Sequence, residues 1–236
     1  MTLAEVFRRH GPAYLAKQVL SSAKAKVWRA IVACRTAIFG GHVETCDGCG
    51  VTRHVYHSCR NRHCPQCQTR AKEHWLAKPR QKLLPVPYFH LVFTLPHALH
   101  PLVTQCPRAI YELLFGCASA TLGEFAANPR WLGGQLAFSL VLHTWKQDLG
   151  RHVHVHALVA GGALTPTGEW KSPKRDFLFP VQALSRVFRG KFMAALGEAR
   201  GPGQRLAEAL ADDKLWRTLR QQLLRHDWVV YAKQPL

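Results

Sequence analysis

The chain has 236 residues, 47% of them hydrophobic, which is enough to bury a core. Its 32 Lys and Arg against 14 Asp and Glu leave a formal charge of +18, so nucleic acid is the first partner to consider. No run of about 18 uncharged apolar residues occurs, and the N-terminus has no apolar leader segment. That argues against a membrane-spanning helix and a secretory signal, and the expected setting is cytoplasmic and close to the nucleoid.

Thr2 and Glu5 have the spacing of a capping box. Gly11-Pro12 then predicts an interruption, and Ala13 to Cys34 has the apolar spacing of a basic amphipathic helix. Gly40-Gly41 leads into a cluster of five cysteines between 46 and 67, followed by a basic helical stretch, TRAKEHWLAKPRQKLL, expected to end or kink at Pro79. YFHLVFTLP, Tyr88 to Pro96, is dense in aromatic and branched residues and predicts a buried strand. A helix from about Pro107 to Ala127 and a strand from Gln135 to Trp145 come next. The segment RHVHVHALVAGG at 151–162 reads as a third strand, Pro180 to Ala199 and Asp212 to Asp227 as helices, and Trp228 to Gln234 as a last strand. Strands interleaved with helices predict an α/β or α+β sandwich around a central sheet.

Two motifs carry chemistry. Cys46-x2-Cys49 and Cys64-x2-Cys67, with 14 residues between the pairs, match zinc-ribbon spacing. Each C-x2-C offers two thiolates to one ion, and two such knuckles make a closed tetrahedral site with a structural role. Cys59, His57 and His63 read as neighbours of that site that do not bind the ion. Cys34, Cys106 and Cys117 read as small buried side chains. Arg53, Arg60, Arg62, Arg70 and Lys72, interleaved with Tyr56 and histidines, are the candidate phosphate contacts.

The second motif is the histidine row. On a strand, His152, His154 and His156 leave from one face while Val153, Val155 and Ala157 take the other. Three neutral imidazoles in a core would need three sets of hydrogen-bond partners, which a metal-bearing cleft supplies more readily. Trp170-Lys171 and Lys174-Arg175 could grip a single strand through stacking and charge, or form a plain solvated loop.

The succession SCRNRHCPQCQ, PYFHLVFTLPH and HVHVHALVAGGAL resembles the two-tyrosine rolling-circle transposases of the HUH endonuclease superfamily, the insertion sequence 91 family. The resemblance runs from about Phe7 to Gln234. It implies an α+β architecture with α/β-like features. Residues 1–84 would be a helical zinc-ribbon DNA-binding domain, and residues 85–236 an HUH-type nuclease domain with a mainly antiparallel central sheet flanked by helices. The register of ALVAGG favours His154-Val155-His156 as the metal pair, with His152-Val153-His154 as the competing register. In such enzymes two histidines and a third polar ligand hold Mg²⁺ or Mn²⁺ at a scissile phosphate of single-stranded or hairpin DNA, and a tyrosine attacks to leave a 5′-phosphotyrosine.

Gln147 and Asp148, just before the strand, are the candidates for the third ligand. The family's paired tyrosines, three residues apart, have no counterpart among Tyr14, Tyr56, Tyr88, Tyr111 and Tyr231. The nucleophile is therefore expected beyond Leu236, and no residue of this chain is assigned as catalytic. Two competing readings are a zinc-ribbon DNA-binding or regulatory protein with idle histidines, and a metal-dependent hydrolase using bound water. Neither a membrane nor a small-molecule substrate is expected.

Overall fold

The computed structural model describes residues 2–146, 148, 150–174 and 176–233, with the backbone alone for Arg70 and Pro79. The chain divides into two compact units, Met1–Leu83 and Leu84–Leu236.

In the first unit, helix α1 (Leu3–Leu15) opens on the expected capping box. The Glu5 N–H donates to Thr2 Oγ1 at 3.3 Å and the Thr2 N–H donates to the Glu5 carboxylate at 2.7 Å. The helix runs through Gly11-Pro12, and the break falls later, where Ser21 caps α2 (Ser22–Val32). The single helix expected from Ala13 to Cys34 is therefore two helices packed on each other, and the continuous apolar spacing came from both. Trp28 of α2 lies flat on Phe7 (4.0 Å, 7°) and on Tyr14 (5.8 Å, 7°) of α1. Gly11 makes room for this contact, because a Cβ there would stand 2.7 Å from Trp28 Cζ2. After a 3-10 turn at Ala37–Phe39, strands β1 (Gly41–Thr45) and β2 (Thr52–Tyr56) form an antiparallel hairpin, and Pro65 begins α3 (Pro65–Arg80).

The second unit is built on an antiparallel sheet in the order β4-β5-β3-β7, made of β3 (Tyr88–Thr94), β4 (Gln135–Trp145), β5 (Arg151–Leu164) and β7 (Val230–Lys233). A short β6 (Trp170–Lys171) pairs with the end of β5. Helices α4 (His100–Gln105), α5 (Pro107–Ala127), α6 (Val181–Ala199) and α7 (Asp213–Arg225) complete an α+β arrangement. Phe89, Leu91 and Phe93 of β3 and Val153, Val155, Ala157 and Val159 of β5 join Leu114, Leu122, Leu184, Phe188 and Phe192 of the helices in one core. Phe93 meets Phe188 edge-on at 5.1 Å. Alternation then sends the intervening residues of β5, including the three histidines, to the other face. Gly162, at φ +153°, lies near the end of this strand, where a Cβ would fall 2.5 Å from the Trp170 ring. Trp170 is thus a packing residue against β5, and Lys171 donates to the Pro129 carbonyl at 3.4 Å. Arg175 lies outside the described residues.

Candidate metal centres and nucleic-acid surface

In the first unit the structure draws four sulfur atoms together, but not the four that the C-x2-C spacing predicts. Cys64 and Cys67 converge with Cys34 and Cys59, all within 4.8 Å of one another. Three of the sulfur–sulfur edges measure 3.6 Å (Cys34–Cys67), 3.6 Å (Cys59–Cys67) and 3.7 Å (Cys34–Cys64). A tetrahedron with Zn–S bonds of about 2.3 Å has edges of about 3.8 Å, so this donor set fits Zn²⁺ in both chemistry and size. The Cys59 backbone N–H also reaches Cys34 Sγ at 3.5 Å, a donor that stabilises a thiolate. Burial raises the Cys34 and Cys59 thiols. At Cys67 burial acts the same way but is outweighed by the facing Cys59 and Cys34 sulfurs and the Ser58 hydroxyl, and that thiol is lowered. One member of the quartet is therefore already disposed to lose its proton.

Cys46 and Cys49 stay exposed at the turn of the hairpin, where Gly50, at φ +70°, donates to the Cys46 carbonyl at 2.9 Å. The reason is geometric. At the open end of the hairpin His57 donates to Gly40 O (3.0 Å) and Arg35 donates to His57 O (3.1 Å), which seats Cys34 beside Cys59. The five-residue strands carry Cys46 away by roughly 17 Å at about 3.4 Å per residue. Cys34 ends up buried, as expected, but as part of the quartet and not as a packing side chain.

The basic residues take several roles. Arg53 is bound to Glu44 at 2.7 Å, and Arg62 donates to His63 Nε2 at 3.3 Å. Arg60 joins Arg35, Arg53, His54 and His57 around a cleft of about 640 Å³ that also touches Cys67. Lys72 is exposed on α3, and the side chain of Arg70 lies outside the described part. This cleft is lined by cations and imidazoles, groups that attract phosphate.

In the second unit the histidine row is completed by a residue that the sequence reading passed over. His143 of β4 stands opposite His154 of β5, and the ligand nitrogens of His143, His154 and His156 lie within 4.8 Å of one another. The ring orientations are set from outside the trio. His154 Nδ1 faces the His152 carbonyl at 2.9 Å, and His156 Nδ1 faces His90 Nε2 of β3 at 2.6 Å. With their Nδ1 atoms engaged, both rings keep Nε2 for a ligand, and His156 Nε2 is buried without a partner. Burial, reinforced by the neighbouring imidazoles, lowers His143 and brings His156 down to about 4, so both are neutral donors near pH 7. Three imidazole nitrogens fit a divalent ion with coordination positions left open.

His152 shares the face but lies outside this trio, so the pair His154-Val155-His156 is the one brought together. Asp148 is not among the groups that converge with the trio. Its carboxylate accepts from the Gly150 N–H (2.8 Å) and pairs with Lys146 (3.0 Å), and both contacts hold it below the usual carboxylate range. Gln147 lies outside the described residues. The signal for His143 was its place two residues before the end of a predicted strand, but only pairing of β4 with β5 turns that into proximity.

Comparison with known proteins gives matches to both units. A family described as "Transposase zinc-binding domain" matches residues 6–95, which include the sulfur quartet. A family described as "Putative transposase" matches residues 137–236, which include the histidine trio. A "Putative transposase y4qJ" of Sinorhizobium fredii is 44% identical over 239 residues, covering 99% of this chain and 60% of that protein. The transposase for insertion sequence element IS801 of Pseudomonas savastanoi pv. phaseolicola is 35% identical over 158 residues, or 66% of this chain and 37% of that one. Among solved structures, a metal-bound conjugative relaxase TrwC in complex with oriT DNA overlaps 48% of this chain and 43% of that one, with a TM-score of 0.38 and 18% identity. No helix among the described residues is long and apolar enough to cross a membrane.

Proposed function

This chain belongs to the insertion sequence 91 family of transposases, and on that premise we propose that it binds single-stranded or hairpin DNA at the ends of a mobile element and presents one phosphate of it to a divalent ion. It spans 60% and 37% of the two transposases it matches, so the complete nick-and-rejoin reaction is proposed for the longer protein to which these units correspond. The observation that carries the reading is the convergence of His143, His154 and His156, with His156 Nε2 buried and unpartnered.

In the first unit, Cys34, Cys59, Cys64 and Cys67 hold structural zinc in a closed site. Its effect is to lock the open end of the hairpin to the end of α2, and so to fix the basic cleft around Arg35, Arg53 and Arg60. In the second unit, His143, His154 and His156 would hold Mg²⁺ or Mn²⁺. The all-nitrogen donor set favours Mn²⁺, since Mg²⁺ prefers oxygen. When bound, the ion supplies charge that polarises a phosphodiester oxygen. The chain's own residues contribute the setting. The ligands are neutral, so the ion keeps its full charge toward DNA, and no Asp or Glu occurs in β3, β4, β5 or β7 to compete with phosphate. His90 and the His152 carbonyl hold the rings in the required tautomers.

With no Tyr-x3-Tyr in its sequence, the chain binds a single-stranded oligonucleotide and Mn²⁺ but forms no covalent link to DNA. The test is a Mn²⁺ titration of the chain and of His143→Ala, together with a denaturing gel after incubation with labelled oligonucleotide and Mn²⁺. Loss of tight Mn²⁺ binding in His143→Ala, by at least tenfold, and an absence of shifted bands are expected. An unaffected titration or a protein–DNA band on the gel would refute this account.

A further inference from the structure

Two large aromatic side chains stand open on the histidine face of the sheet, and neither has a part in holding the metal. Trp145 ends β4 with 54% of its surface exposed, and Tyr231 of β7 is 53% exposed. The register puts Tyr231 on that face, and contact with the His143 ring puts Trp145 there despite the register shift between the two residues. Tyr231 pairs with Val92, Val92 with His156, and His156 with Val141, so these four side chains form one row across the sheet. With strands about 4.8 Å apart, Tyr231 starts about 10 Å from His156. Trp145 lies on the far side of the trio, its ring parallel to His143 (2°) with centroids 5.9 Å apart. Val141 and Leu158 on the same face are also exposed, at 40% and 38%.

We propose that Trp145 and Tyr231 are stacking platforms for unpaired nucleobases on either side of the histidine centre. The proposal rests on the function argued above and names how that site recognises its strand. Exposed aromatic rings that share a sheet face with other exposed apolar side chains and a ligand cluster are the kind of surface that marks a binding site. The four strands carry no carboxylate, and Lys233, opposite His90, lies on the same face, so the occupant brings negative charge. Flat apolar rings joined by anionic links describe a nucleotide strand. Its bases must be unpaired, because in a duplex their faces already stack on one another and cannot reach a protein ring.

The test measures binding of a fluorescent single-stranded oligonucleotide by the chain and by Trp145→Ala, Trp145→Phe, Tyr231→Ala and Tyr231→Phe. Each Ala variant is expected to bind about tenfold more weakly, the Phe variants within about twofold of the parent. The slope of log affinity against log salt stays unchanged, since no charge is removed. A scan of single abasic sites should find positions that weaken the parent chain but not Trp145→Ala. Mn²⁺ titration of Trp145→Ala should match the parent, which separates stacking from a displaced His143. Ala variants that bind the oligonucleotide like the parent overturn this inference alone, whereas a covalent DNA adduct on Tyr231 would make it a nucleophile and overturn both this inference and the proposed absence of a covalent link. Failure of the parent chain to bind oligonucleotide or Mn²⁺ overturns the proposed function and this inference with it.

Discussion

His156 illustrates how a neighbour makes a side chain into a ligand. Its Nδ1 is held at 2.6 Å by His90, a residue 66 positions earlier, and only this leaves Nε2 directed at the trio. A ring that gives Nε2 to a metal carries its proton on Nδ1, so in that state His90 is the acceptor of the contact. Replacing His90 with Phe keeps a flat ring but removes the acceptor, and metal affinity should fall roughly 10- to 100-fold, the usual effect of losing such an orienting partner. Competition titration with a chelator would measure it, and an unchanged affinity would show that packing alone orients His156. The cysteines allow a sharper comparison. Cys59→Ser should release zinc and unfold the first unit, whereas Cys46→Ser should keep the zinc content of the parent chain, as read by metal analysis of the purified protein. The reverse result would restore the ligand set that the C-x2-C spacing predicts.

At the scale of elements, the sequence marks ends better than it marks interruptions. The bounds of α5 and β4 were readable because Pro107 opens a helix and the apolar runs are long. Pro12 was misread as a break. Pro12 stays exposed within the helix, while Gly11 beside it is buried under Trp28 of a second helix, an interaction no local rule contains. Gly11→Ala tests this. In an isolated helix the change would stabilise by about 1 kcal/mol. Here the new methyl meets Trp28 at 2.7 Å, held flat on Phe7, and overpacking of this kind costs about 1–3 kcal/mol. The expected result is a net loss of about 1 kcal/mol in denaturant unfolding of the first unit. A gain in stability would mean that Trp28 moves aside freely.

For the whole molecule, the two units draw on different sources of stability. The buried cluster of the first is small, Ala4, Ile31, Cys34 and Cys64, and two of those four are zinc-ligand candidates. The second has an extended core of sheet and helix residues. Chelation should therefore remove one thermal transition and leave the other within a few degrees of its original midpoint, because the histidine trio contributes little to a core on the opposite face of the sheet. Calorimetry with and without a strong chelator would read both. A single transition lost as a whole would show that the units unfold as one.

The sequence by itself determined the basic character, the order of the longer helices and strands of the second unit, the presence of a cysteine-rich metal motif, and the placement of His152, His154 and His156 on one face. These follow from composition and from periods of two or 3.6 residues, which are properties of neighbours along the chain. Only the tertiary structure decided which atoms meet. Hairpin register removed Cys46 and Cys49 from the quartet and admitted Cys34 and Cys59. Pairing of β4 and β3 with β5 brought in His143 and His90. A ligand set is a matter of distances of a few ångströms between residues tens of positions apart, and strand pairing, which local spacing does not encode, is what sets those distances.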